Sequence, residues 1–410
     1  MIARYHAPLA AVSAVFAWRS TPEDAKKARC DSAVRRMPAL LPGGGVWPAC
    51  LKRGSGPGEL ECGSVTNAQG LRLATYTVRA TNPIAVCVLV HGYRECARFE
   101  WLAPTAPGGP HVRWDGCVVE RLVAGGVSCY CLDNQAHGDS EGPHGSPEDV
   151  GPCVDAVDDM ARDALQIAAS ARAEEGAAPL FLFGSSLGGA VVARAAQMDA
   201  AEDLVDGVVL QSPMLYATGV WRHVAARVLY QLPLLAVLAR VAPTWETTVG
   251  NAPNLLGTDR DECRSEPAFY QGRLRAASLH AFCWTMHGFH AAGGMENFRG
   301  NPALLCLHAV PDLKCPLAGA EALFERANVD RRTLAVFAGV GAEPGTPGVL
   351  RESPAATPAS DLFTPAILAL PVFHNLVREP GGAPIAAAVA RWVAREARRI
   401  QGAKKGPAAN

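Results

Sequence analysis

The chain has 410 residues, 49% of them hydrophobic and 19% charged, and a formal net charge of −1. At roughly 150 residues per domain that leaves room for two or three domains, or for one large α/β domain with insertions. The apolar share excludes wholesale disorder, and the near-neutral charge argues against a dedicated nucleic-acid binder.

The thirteen cysteines run from Cys30 to Cys315, and no two are spaced C-x-x-C. Cys129 and Cys131 would share one face of a strand, and Cys87 and Cys306 also lie inside apolar runs. They read as small buried hydrophobes rather than a disulfide framework or a zinc site, which points to a reducing, cytoplasmic compartment. No stretch reaches the ~18 apolar residues of a membrane span. Residues 7–18, between Arg4 and Arg19, have the character of a secretory h-region, but no small-residue cleavage site follows. The plainer reading is an irregular or helical extension.

In chain order, residues 1–60 carry scattered Pro and Gly with little periodicity and read as a poorly ordered N-terminal extension. A strand from residue 63 leads through a turn at residues 67–70 into an alternating strand over 71–78. Residues 85–90, 127–132 and 180–183 are continuous apolar runs, the pattern of strands buried on both faces. Each ends on polar or glycine-rich residues. Between the last two, Val157, Met160, Ala161, Ala164, Leu165, Ile167 and Ala168 fall on helical spacing within residues 155–173. Strands alternating with helices predict a doubly wound, mostly parallel α/β sheet with its chemistry at the carboxyl ends of the strands.

After residues 208–212 the pattern breaks, and it returns at residues 303–308. Residues 213–300, punctuated by Pro and rich in Leu, Ala, Arg and Trp, therefore read as a helical cap inserted between two strands. The core is expected over 61–212 and 301–400. Within its second part, 339–365 reads as a long loop insertion, 367–373 as a last strand and 386–400 as a closing helix; 401–410 is expected to be a disordered tail.

The sharpest motif is Gly184-Ser185-Ser186-Leu187-Gly188, a G-x-S-x-G between a strand and a helix over 190–197. That is the setting of a nucleophile elbow, with Ser186 as the candidate nucleophile and the helix dipole favouring negative charge beside it. The base and acid should follow in the order Asp or Glu, then His. His223, His280, His287 and His290 lie in the insertion and His308 in a strand-like run. His374 alone follows the last predicted strand and is the candidate base. Asp312, four residues after His308, is the favoured acid; its rival Asp361 sits in a Pro-rich loop where a turn role is ordinary. The main-chain N–H groups of Leu187 and Tyr93 are the candidate oxyanion donors. His91 reads as a loop-orienting residue without a proton role. His287 and His290 have no third ligand in view, so neither a metal nor an organic cofactor is read.

These residues resemble the monoacylglycerol lipase and lysophospholipase group of α/β hydrolases, the serine-aminopeptidase-like hydrolase family. The resemblance spans residues 63–380. It includes His91-Gly92 with Arg98-Phe99-Glu100, Asp133 through Ser140, Gly184 through Gly189, residues 267–275, and Asp312 with Gly319-Ala320. Departures are Ser185 where the family usually has His, Ala136 for a Gly, Cys96 where a His is common, and a long gap from Asp312 to His374. The resemblance implies an α/β-hydrolase fold and a serine hydrolase cleaving carboxylic esters of lipids, monoacylglycerol or lysophospholipid. The same triad also serves acyltransferases, thioesterases and peptidases, and a catalytically silent ligand-binding protein is a further class on this fold. In the cap, Val224, Val228, Leu229, Leu232, Leu235, Ala236 and Leu238 lie on helical spacing, flanked by Arg222, Arg227 and Arg240. They read as a helix packed on the core or as an acyl-tunnel wall touching a membrane or micelle surface. The expected partners are a lipid ester and that surface, with no nucleic acid.

Overall fold

A computed structural model describes residues 58–106, 111–199, 204–216, 233–247, 268–298, 300–343 and 346–405. The readings of residues 1–57 and 406–410, and of Val224, Val228, Leu229 and Leu232, lie outside the described residues.

The chain enters through a hairpin, β1 (Leu60–Thr66) and β2 (Arg72–Val78). Its turn is held by Asn67, whose side-chain Oδ1 accepts the N–H groups of Gln69 and Leu71 at 3.0 and 2.9 Å, the local bonding that makes Asn a turn residue. β3 (Ala85–Val90) is followed by α1 (Ala97–Trp101), by the short pair β4 (Ala103–Pro104) and β5 (His111–Arg113), and by α2 (Val118–Ala124). Then come β6 (Val127–Leu132), α3 (Pro147–Val150), α4 (Val157–Glu175), β7 (Leu180–Ser185), α5 (Leu187–Met198) and β8 (Gly207–Gln211). Between β8 and β9 (Ala303–Ala309) the described residues form α6 (Leu234–Val241) and α7 (Ala276–His290). α8 (Leu317–Arg326), β10 (Arg332–Phe337), β11 (Val349–Glu352), α9 (Pro365–Leu368) and α10 (Ala383–Lys405) complete the chain.

Nine strands form one sheet in the order β1-β2-β6-β3-β7-β8-β9-β10-β11. The six from β6 to β10 run parallel, and the hairpin and β11 are antiparallel edges. This is the α/β-hydrolase fold. The period of two along a strand explains why its central runs are apolar throughout. Val86, Val88 and Val90 of β3 pack with α4 and α5 on one face. Cys87 and Leu89 pack with Val119 and Leu122 of α2 and Val389 and Trp392 of α10 on the other. Eight of the ten described cysteines are buried and no disulfide joins the ten. No helix among the described residues is long and apolar enough to cross a membrane.

Three expectations for the second half need correction. Residues 339–365 are not a structureless loop, because β11 pairs with β10 inside them and extends the sheet. Residues 367–373 are not a strand. Pro365 opens the turn of α9, Pro371 breaks the run that follows, and the parallel position beside β9 is already filled by β10. The tail at 401–405 is helical, continuing α10.

Candidate active site

The parallel strands deliver the candidate residues to one edge. β7 ends at Ser185, and Ser186 follows with φ 55° and ψ −114°, a left-handed conformation that a non-glycine residue adopts only under constraint. The constraint is close packing. A Cβ on Gly188 would lie 2.1 Å from the Val90 carbonyl oxygen, and one on Gly184 would lie 2.1 Å from that of Gly188. The elbow is therefore tight because β3, β7 and the first turn of α5 touch through backbone alone. The Ser186 N–H donates to the Gln211 carbonyl at 2.9 Å, tying the elbow to the end of β8.

Asp312 lies three residues beyond β9, and His374 lies in the loop after α9. The structure brings them together: His374 Nδ1 is 2.7 Å from Asp312 Oδ2, and both side chains are buried. The other oxygen of Asp312 accepts the N–H groups of Lys314 and Cys315 at 2.8 and 3.1 Å. Burial pushes the Asp312 carboxyl up. The charge and hydrogen bond of His374, the charge of His308 and the Cys315 N–H together outweigh this and hold it below the usual carboxylate range. Asp312 is thus an anion aimed at the imidazole. Asp361 is elsewhere, in an exposed ion pair with Arg395.

Ser186 Oγ has the Cys315 thiol as its neighbour, 3.8 Å away. Burial pushes that thiol up, so it is neutral. The other side of Ser186 faces the loop after β3, where a Cβ on Gly92 would lie 3.3 Å from the serine Cβ. Among the described residues, no backbone hydrogen bond outside the helices and strands uses the N–H of Tyr93 or of Leu187. The Tyr93 ring packs edge-on against His137 and Phe282, with centroids 5.7 and 5.1 Å apart. His91 is buried, with Nδ1 2.7 Å from the Gly92 carbonyl and Nε2 accepting the Asn134 N–H at 3.0 Å. Burial pushes it down to about 4, so it is a neutral strut of this loop.

Glu379 and Ser212 matter to this geometry and carry no signal in the sequence. Glu379 accepts the N–H groups of Phe373, His374 and Asn375, gathering the His374 loop around one buried carboxylate. Ser212 Oγ donates to the His374 carbonyl at 2.8 Å. Ser185, the departure beside the nucleophile, accepts from Gln211 Nε2 at 2.9 Å. Ala136, another departure, takes a left-handed φ of 63°, at a cost of about 1–2 kcal/mol that a glycine would avoid. His290, considered for a metal, instead sits 3.0 Å from the Leu215 carbonyl through Nε2.

A family model described as serine aminopeptidase, S33, matches residues 108–341, more than half of the chain and inclusive of Ser186 and Asp312. The chain belongs to this family. Among solved structures, the monoacylglycerol lipase of Paleococcus ferrophilus is similar over 80% of this chain and 99% of its own, at 23% identity and a TM-score of 0.54. A soluble variant of the monoglyceride lipase of Saccharomyces cerevisiae, in complex with a substrate analogue, is similar over 86% and 99%, at 13% identity and a TM-score of 0.55. A lipase in its open form is similar over 82% and 99%, at 16% identity and a TM-score of 0.55. At these identities the likeness is one of fold, and the candidate Ser186 lies where β7 turns into α5. No curated protein matches the chain by sequence.

Proposed function

We propose that the protein is a serine hydrolase of lipid carboxylic esters, with monoacylglycerol or lysophospholipid as substrate and Ser186, Asp312 and His374 as its triad. The observation that carries this is the buried 2.7 Å contact between His374 and Asp312 at the same strand edge as the strained elbow of Ser186. Ser186 Oγ adds to the ester carbonyl while its proton passes to His374 Nε2. Asp312 keeps the imidazole in the tautomer with Nδ1–H and stabilises the imidazolium. The N–H groups of Tyr93 and Leu187 receive the developing oxyanion, worth roughly 3 kcal/mol per donor. His374 then gives its proton to the leaving alcohol, and water repeats the cycle on the acyl-enzyme.

Residues 213–300 are the proposed cap. Leu234, Val237 and Val241 form an exposed stripe on α6, with Trp245 and Trp284 also exposed, a surface suited to a lipid interface. Leu235 on the opposite side packs against Leu279 and Cys283 of α7. The description of the family model favours peptide-bond hydrolysis as the second reading.

The test is fluorophosphonate labelling of wild type, Ser186→Ala and His374→Ala, beside hydrolysis of a medium-chain monoacylglycerol, a lysophosphatidylcholine and an aminoacyl p-nitroanilide. Labelling lost in both variants with turnover of either lipid supports the proposal and selects the head group. Turnover of the anilide alone moves the chain to the peptidase reading. An unlabelled wild type removes the enzyme reading and favours a binding protein.

A further inference from the structure

Behind Ser186 lies a buried polar cluster that the proposed reaction does not use. Glu95 and Glu100 are 7% and 2% exposed, and Gln211 and Asn375 are as deeply buried. Asn375 Nδ2 donates to Glu95 Oε1 and to Glu100 Oε2, each at 3.2 Å. The remaining oxygen of Glu95 accepts the Gly92 N–H at 3.3 Å, and that of Glu100 accepts Gln211 Nε2 at 3.3 Å. Gln211 in turn donates to Ser185 Oγ and accepts the Val377 N–H at 3.0 Å. Two carboxyl groups therefore join the loop beside the nucleophile, the elbow itself and the loop of His374.

Two carboxylates this close and this buried do not both ionise. Burial and then the neighbouring Glu95 push Glu100 well above the usual carboxylate range, against Arg378 and Ser185, which pull it down. Among the described residues, the other charged or titratable groups around the pair are Arg378, His111, Glu379 and His137, whose buried ring feels the charge of Glu95 and is held neutral by burial. Arg378 donates from Nε to the Phe99 carbonyl and meets His111 at 3.3 Å. Glu379 faces the backbone of the His374 loop. A carboxyl pair holding one proton is electrically a single anion, and the lone Asn375 amide can serve it. With the proton gone, two anions repel across the junction of the three segments.

We propose that Glu95 and Glu100 are positioning residues that share one proton, and that this proton keeps the oxyanion loop and the base loop in register around Ser186. The proposal rests on the serine-hydrolase reading and adds to it an alkaline limit on kcat set outside the triad.

Two measurements test it. The first, independent of activity, is the infrared carboxylic-acid C=O band near neutral pH; wild type minus Glu100→Gln is expected to show one protonated carboxyl. The second is kcat and KM for a p-nitrophenyl ester from about pH 6 to 10 in wild type, Glu100→Gln and Glu95→Gln, with folding checked by thermal melting. Wild type is expected to lose kcat on the order of tenfold at the alkaline end, since small misplacements of reacting groups cost that much or more. Either Gln variant is expected to retain its kcat there, with KM unchanged. A band difference of zero overturns the shared proton. An identical alkaline limb in whichever Gln variant folds overturns the positioning role. If wild type shows the band yet neither labels with fluorophosphonate nor turns over ester, the hydrolase reading has failed and the positioning role falls with it, while the shared proton stands.

Discussion

On the proposed mechanism Asp312→Asn should leave the fold intact and stop the chemistry, and the hydrogen bonds of Asp312 give the reason. One oxygen of Asp312 accepts the N–H groups of Lys314 and Cys315, while the other takes His374 Nδ1. An asparagine must give its carbonyl to one side and its NH2 to the other. Turning the NH2 toward Lys314 and Cys315 would set it against two backbone donors, at about 1–3 kcal/mol for each buried group left unsatisfied. Turning it toward His374 sets it against one nitrogen, which can accept if the imidazole moves its proton to Nε2. The amide therefore faces His374, and the imidazole adopts the tautomer that cannot take a proton from Ser186. A loss of kcat of about 10⁴ is expected, roughly 5 kcal/mol of barrier, with KM little changed. The assay is ester turnover beside the rate of fluorophosphonate labelling, with the His374 tautomer read by nitrogen NMR and folding by thermal melting. A folded Asp312→Asn enzyme keeping more than about a tenth of wild-type kcat would refute the reasoning.

Glu379→Ala removes the acceptor of three main-chain N–H groups around His374; a loss of about 3 kcal/mol or more in stability is expected, with kcat falling further than KM rises, checked by urea unfolding and ester kinetics. Gly188→Ala would drive a Cβ to 2.1 and 2.6 Å from the carbonyl oxygens of Val90 and His91. Neither backbone atom can yield, so a penalty above ~4 kcal/mol is expected, seen as lost thermal unfolding cooperativity; a melting temperature close to wild type would contradict it. Burial holds His91 and His137 down to about 4 and about 3, against an ordinary value of 6.5. The unfolded chain then binds protons that the folded chain refuses, so their contribution is complete above pH 6.5 and is lost as pH falls toward 4 and 3. The urea midpoint should decline across that window, and His137→Asn should flatten the decline; an unchanged slope would show that other groups govern it.

The strands of the main sheet through residue 212 and the helix α4 were legible because fully buried parallel strands must be apolar on both faces and α4 must be apolar on one; the short elements α1, β4, β5, α2 and α3 carry no comparable pattern. The elbow was legible as a spacing pattern, although the reason for it is only partly local: Gly184 is required by the Gly188 carbonyl, whereas Gly188 is required by the Val90 and His91 carbonyls, far away in the chain. The same local reasoning failed after β9. Arg332–Phe337 is a short run beginning with charge, yet it holds the parallel place beside β9. The apolar run at residues 367–373, which reads as a strand, has two prolines in or beside it and no vacant parallel place to occupy.

Ser186 stands out through spacing as the candidate nucleophile, and Asp312 and His374 through their order after it as the candidate acid and base. What the amino-acid string determined by itself was the set of groups whose identity follows from neighbours in the chain: the apolar strands and the spacing of the elbow. What only the tertiary structure decided was the set whose partners lie far away. The 62 residues between Asp312 and His374 close into a 2.7 Å contact, and Glu95 and Asn375, 280 residues apart, share a hydrogen bond. A buried carboxylate is tolerable only where donors from other segments converge on it, and that convergence is a property of the packed sheet edge, which no local pattern records.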